Sequence, residues 1–200
     1  MPTLPLAGRV AVVSGVSRRR GIGFAVAKRL ASLGASLFIQ HYGPHDAGQP
    51  WGADHIEDVL AELQAALVAD AHLGDVGLDL AAASAAETLI EAATSQLGHL
   101  DVLVCNHAQS GNDGPLSEVT AAQLDQHWQV NARSTVLATR AFAAQHDGRE
   151  GGRVIWMTSG QGKGPMSETV AYAMSKAALA GLTTSVADTL IEQGLALNTV

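Results

Sequence analysis

The chain has 200 residues, room for one domain with a sizeable core, and is 47% hydrophobic, 16% charged and only 4% aromatic. A formal net charge of -7 leaves no basic face to offset it, which argues against a nucleic-acid partner. A single cysteine, Cys105, excludes an internal disulfide, and no signal-peptide pattern or long apolar run is present, so a soluble cytoplasmic protein with no membrane partner is expected.

Residues 9–13 (RVAVV) read as a buried strand, and Ile22, Val26, Leu30 and Leu33 then form one helical stripe that Gly34 ends. Residues 35–40 predict a second strand, and the Gly- and Pro-rich stretch 43–53 predicts a loop. Asp54 is placed to cap a helix bearing Ile56, Val59, Leu60, Leu63 and Leu67. Residues 75–80 predict a third strand, and Ser84 with Glu87 a capping box for a helix that Gly98 closes. The fourth strand falls at 100–105. A second capping box, Thr120 with Gln123, opens one long helix that runs to the HDGREGG stretch at 146–152. Residues 153–157 predict a fifth strand, 170–192 a helix, and 195–200 a sixth strand. Such alternation implies βαβ units, hence an α/β fold: a Rossmann-type doubly wound parallel sheet with helices on both faces, one domain over 1–200. Val200 falls at the edge of the last strand, an odd place for a domain to stop, so a domain truncated after its sixth strand is expected.

Gly15, Gly21 and Gly23 lie between the first strand and the first helix, where free N–H groups and the positive end of the helix dipole suit a phosphate. A plain turn that needs glycine dihedrals is the bland alternative. NAD sites carry an acid about 20 residues further on, at the end of the second strand. Here that place reads Gln40-His41-Tyr42, and the first acid is Asp46. A missing acid beside Arg18, Arg19 and Arg20 suits a cofactor 2′-phosphate met by at least one of them, so NADP(H) is expected ahead of NAD(H); a solvated basic loop is the alternative.

Tyr172 and Lys176 are four apart on a predicted helix and share a face. A tyrosine with a pKa of about 10 is a poor acid–base catalyst at neutral pH, and an adjacent ammonium favours its phenolate. An ordinary helix face is the competing reading of this pair. Ser159 ends the fifth strand, at the sheet edge where ligands of such folds bind. His41 and His45 are separated by Gly-Pro, and no metal site is expected there. Cys105 reads as a small buried hydrophobe, and Trp51 as an anchor for the loop around it.

Taken in order, SGVSRRRGIG (14–23), NHAQ (106–109), Ser159 and YAMSK (172–176) resemble the TGxxxGxG, NNAG, Ser and YxxxK set of the short-chain dehydrogenase/reductase family. The resemblance runs from the first strand to the last residue and is greatest to the 3-oxoacyl-[acyl-carrier-protein] reductase branch. It implies an NADP(H)-dependent oxidoreductase interconverting a carbonyl, such as a 3-oxoacyl thioester or similar ketone, and a secondary alcohol. It implies that Tyr172 is the general acid and that Lys176 lowers its pKa and holds the nicotinamide ribose. Ser159 would bond the substrate oxygen, and Asn131 would hold a water in the proton relay. Cofactor contacts are implied at Gly15, Ser17, Arg18, Arg19, Arg20, Gly21, Ile22, Gly23, Asp79, Leu80, Asn106 and Ala108, besides Tyr172 and Lys176. A homodimer or homotetramer paired through the two long helices is implied as well. The chain departs from the family pattern in a longer glycine turn and at His107 and Gln109. An NAD-dependent alcohol or sugar dehydrogenase of the same family, and a non-catalytic NADP(H)-binding protein, are the alternatives.

Overall fold

A computed structural model describes residues 4–200. Strands β1 (Val10–Val13), β2 (Ser36–His41), β3 (Leu73–Gly77), β4 (Val102–Cys105), β5 (Gly152–Trp156) and β6 (Leu195–Thr199) form one sheet in the order β3-β2-β1-β4-β5-β6. Every pairing is parallel, so each connection crosses over through helical chain. The order reverses between β1 and β4, and the crevice at that point is where such sheets bind ligands.

Alternate strand residues feed two cores. Val10, Val12, Leu103, Val154 and Trp156 pack under α4 (Ala85–Leu97), α6 (Ser134–Gln145) and α7 (Val170–Ile191). Ala11, Val13, Leu37, Ile39 and Val104 pack under α1 (Ile22–Ser32) and α3 (Ile56–Ala66). Burying each large side chain, such as Phe142 or Leu103, contributes about 1.5–3 kcal/mol. This is the doubly wound sheet expected, with helices on both faces. No helix of the described residues is long and apolar enough to cross a membrane.

Local structure departs from the sequence-based expectations in several places. The 43–53 stretch is not all loop: Gly43–Ala47 form a short helix α2, because Pro44 sits in its first turn, where a fixed φ and a missing N–H cost nothing. Asp54 does not cap α3. His55 takes the N-cap position, and the Asp54 carboxylate accepts the Arg19 backbone N–H at 2.7 Å. Ser84 precedes α4 but forms no capping box, since its φ of -92° and ψ of -5° are helical rather than the extended values a cap needs. The second box is real: Thr120 and Gln123 exchange both bonds. The long helix it opens runs unbroken in αR geometry over 121–145, but widens into a π-helical segment, Trp128–Arg133, between α5 (Ala121–His127) and α6. Such wide turns cluster at functional positions, and this one contains Asn131. Finally, β3 covers residues 73–77, short of Asp79, whose carboxylate accepts the Ala81 N–H and turns the chain away.

Candidate active site

The glycine turn is built by close approach. Gly15 adopts φ +72°, and a Cβ there would lie 2.7 Å from His107 Cα; a Cβ on Gly23 would lie 2.6 Å from the Gly15 carbonyl oxygen. Asn106 holds the turn down, its Nδ2 donating to the carbonyls of Ser14 and Gly15, both at 3.1 Å. Gln40 braces the other side: its Oε1 accepts the Gly15 N–H at 2.9 Å and its Nε2 donates to Leu78 O at 2.6 Å. So the residue standing where an NAD-type acid is sought is a buried strut, a role the sequence did not reveal. α1 then starts after Gly21 with no side-chain cap and no acid in its first turn. Its leading N–H groups are free for an anion, so the turn fits a dinucleotide phosphate.

His107, the departure from NNAG, bridges β1 and α6. Its Nδ1 lies 2.6 Å from Ser14 Oγ and its Nε2 2.7 Å from Ser134 Oγ. Ser134 gives its own proton to Val130 O, so Nε2 donates. Ser14 Oγ can turn its proton either to Val104 O at 3.2 Å or to Nδ1 at 2.6 Å, and because burial disfavours the charged ring, the shorter bond to an accepting Nδ1 is assigned. Burial pushes its pKa down to about 3, with the Lys176 charge acting in the same direction. The unfolded chain therefore binds a proton below about pH 6.5 that the folded one refuses, and stability falls on acidification by up to about 1.4 kcal/mol per pH unit. Comparing melting temperatures at pH 7 and pH 5, His107→Gln is expected to lose less than the parent chain; equal losses would contradict this account.

The cleft above these residues is about 620 Å³, within the range of small-molecule sites. Gly15, Ser17, Arg18, Gly21, Ile22, Asp79, Leu80, Asn106, Ala108, Tyr172 and Lys176 line it. Gly23, Arg19, Arg20, Asn131 and Ser159 do not. The arginine triplet is thus divided. Arg19 turns outward to Asp54 at 3.3 Å and Glu62 at 3.4 Å, and hydrogen bonds from Arg19 hold the Asp54 carboxyl below its usual range. Arg20 is exposed. Arg18 alone faces the cleft, with Nε 3.0 Å from Asp46 Oδ1 and Cζ 5.1 Å over the Trp51 ring. Trp51 in turn donates to Asp46 at 2.9 Å, so α2, which carries Asp46, and the turn after it, which carries Trp51, form a wall of the cleft. That wall is tied to the loop after β4, where Gln49 Nε2 donates to Ser110 O at 3.2 Å. Tyr42 stands beside Asp79, whose charge raises the Tyr42 phenol above its usual pKa.

Helix α7 presents Tyr172 and Lys176 to the same cleft. Lys176 is 2% exposed and donates to Met157 O at 2.8 Å, with Nζ 5.8 Å from the Tyr172 ring centroid. Burial lowers its pKa to about 8, an ammonium still mostly charged at neutral pH. Asn131 lies beneath the cleft. Its Oδ1 accepts the Gln109 N–H at 2.6 Å, and its Nδ2 donates to Gln109 O and to Ser175 Oγ. Ser159 is half-buried at the start of a 3₁₀ turn, while its neighbour Thr158 lines the cleft. Asp113 carries no signal in the sequence, yet its carboxylate receives backbone N–H groups of α7. An acid 59 residues from its partner leaves no local pattern to find.

The profile of the short chain dehydrogenase family matches residues 9–200. The uncharacterized oxidoreductase YjdA of Bacillus subtilis is 34% identical over 194 residues, which is 96% of this chain and 73% of that protein. Hydroxynaphthalene reductase arp2 of Aspergillus fumigatus is 33% identical over 98% of this chain and 66% of its own length. A metagenomic short-chain oxidoreductase, whose crystal structure is a complex with NADP, superposes with a TM-score of 0.81 at 32% identity, over 97% of this chain and 81% of that one. The glycine turn, the Tyr172–Lys176 pair and these likenesses converge: the chain belongs to the short chain dehydrogenase family, oxidoreductases that use NAD(P)(H) on small-molecule substrates.

Proposed function

We propose that this protein is an NADP(H)-dependent reductase that interconverts a ketone, of the 3-oxoacyl or a similar class, and its secondary alcohol. The observation that carries the reading is that Tyr172 and Lys176 line the same cleft as the glycine turn and Arg18. Gly15, Gly21 and the free N–H groups of α1 would hold the pyrophosphate, Arg18 and Ser17 the 2′-phosphate, and Asp79 with Leu80 the adenine. Asn106, Ala108 and Lys176 would hold the nicotinamide half. When bound, the cofactor supplies the hydride at nicotinamide C4.

The chain's own residues do the rest. Tyr172 gives its phenolic proton to the carbonyl oxygen in the reducing direction and takes it back in the oxidising direction. The Lys176 ammonium is buried, with Nζ 5.8 Å from the Tyr172 ring centroid, and would bond the nicotinamide ribose. Ser159 orients the carbonyl oxygen once substrate is in place, and Asn131 supports the relay that returns a proton to Lys176. Neutral His107 keeps a second positive charge away from Lys176. We place the enzyme in a reducing, cytoplasmic setting, consistent with the buried free thiol of Cys105, and as a homodimer or homotetramer paired through α6 and α7.

A second reading has one observation in its favour. Asp46 already neutralises Arg18 and lines the cleft, so it could accept ribose hydroxyls of NADH instead. Arg18→Ala separates the two readings. Under the first, the Kd for NADPH rises by about 10- to 100-fold, the worth of a charged hydrogen bond, and the Kd for NADH stays within about twofold. Parallel changes for the two cofactors, read by fluorescence titration, would favour the second. Consumption of NADPH with a panel of ketones, followed at 340 nm, tests the reaction class itself.

A further inference from the structure

We infer that Asp113 is a positioning residue for this reaction: its carboxylate fixes the first turn of α7 against the loop after β4, and thereby fixes where the Tyr172 hydroxyl stands in the cleft. The inference rests on the assignment of Tyr172 as the acid.

A helix begins with N–H groups that have no partner within it, and a side chain just before it usually supplies one. Thr169, the N-cap of α7, is a residue type suited to that task, yet it makes no side-chain cap bond. The acceptors come from a distant loop instead. Val170 N–H bonds to Gly114 O at 3.2 Å, Ala171 N–H to Asp113 Oδ1 at 3.0 Å, and Tyr172 N–H to Asp113 Oδ2 at 2.7 Å. The Asp113 side chain is 2% exposed. Burial acts to raise its pKa, but the N–H groups of Tyr172, Ala171 and Gly114 and the nearby His127 bring it net below the usual value, so it stays ionised. A negative charge at the positive end of a helix is favourable in itself.

A local cap would secure only the helix. This cap secures the helix to the rest of the site, because one short loop makes all the joints. Asn106 at its start clamps Ser14 and Gly15, Gln109 in its middle is bonded through both N–H and C=O to Asn131, and Asp113 at its end holds the amide of Tyr172. His127 completes the seat. Its fully buried ring stands edge-on to the Tyr172 ring, with centroids 6.4 Å apart. Its Nδ1 donates to Gln123 O, which leaves Nε2 without a hydrogen bond and 3.8 Å from Asp113 Oδ2. Tyr172 is therefore gripped at its backbone by Asp113 and along its ring by His127. An acid catalyst needs that definition, since an error of about 1 Å in placement can cost about 100-fold in rate.

The test is Asp113→Asn, which keeps the shape but offers one acceptor in place of two. The expected result is a kcat for ketone reduction lower by about 100-fold, NADPH affinity within about twofold, and a larger primary isotope effect with C4-deuterated cofactor. In a Tyr172→Phe background the same change should have no further effect on residual turnover, because there is no longer a hydroxyl to misplace. A kcat within about threefold of the parent, with Tyr172→Phe inactive, overturns the inference alone. Full activity in Tyr172→Phe overturns the acid assignment and this inference with it. Should Asp113→Asn not fold, Asp113→Ser retains one short acceptor; an intermediate kcat supports the role, and a parental kcat refutes it.

Discussion

Tyr172→Phe is expected to lower kcat for ketone reduction by about 100- to 10,000-fold, the range that a positioned proton donor supplies. The change removes one oxygen and keeps the ring, so the edge-on contact with His127 and the amide bond to Asp113 persist. NADPH binding should be nearly unchanged, because the glycine turn, Arg18 and Lys176 are untouched. The parent enzyme should also carry a signature of Lys176 in its pH profile. With a pKa of about 8 in the free enzyme, the ammonium is lost as pH rises through that value, and kcat/KM for reduction should decline with it. The sign is opposite for stability. Lysine in the unfolded chain keeps its proton to about pH 10.4, so burying Lys176 costs stability below pH 8, and that cost fades as pH rises toward the unfolded value. A Tyr172→Phe enzyme with more than about a tenth of parental kcat would remove the tyrosine from the mechanism.

Gly15→Ala is expected to abolish saturable NADPH binding and to lower the melting temperature by about 10 °C. Two costs add at this position. A residue with a side chain is strained at φ +72°, and its Cβ would press on His107 Cα at 2.7 Å, backbone that cannot rotate away. Strain and overpacking together come to about 3 kcal/mol, and a domain of this size loses about 2–4 °C for each. Gly181→Ala on α7 is the matched control. An added methyl there meets nothing within 4 Å, and alanine in a helix is favoured over glycine by about 1 kcal/mol. That variant should melt at or above the parental temperature. If the two variants behaved alike, the crowding of the turn would not be what limits position 15.

The sheet was legible because buried parallel strands are written as short apolar runs, and β1 and β4 between glycine-rich or helical stretches have no other reading. The glycine turn and the Tyr172–Lys176 pair were legible because each is local: spacing alone puts their parts together. What escaped was set by contacts between distant segments. Gln40 reads as an ordinary strand residue until Gly15 and Leu78 close on either side of it. His107 looks like an erratic replacement until Ser14 and Ser134 are seen to bracket it. Three consecutive arginines suggested one shared task, yet the chain turns between them, so Arg18 meets the cleft and Arg19 meets α3. The π-helical segment has no signature in its residues, since one extra residue in a turn preserves the apolar stripe on either side. Capping was only half readable: Thr120 and Ser84 share the motif, and backbone dihedrals alone decide which one uses it.

The most direct test of the account is a fluorescence titration of the protein with NADPH and NADH side by side. Saturable binding of both is expected, with NADPH the tighter by at least about tenfold, the worth of one 2′-phosphate contact to Arg18. Binding of neither would contradict the assignment of the cleft as a dinucleotide site, and equal or tighter binding of NADH would contradict the role given to Arg18.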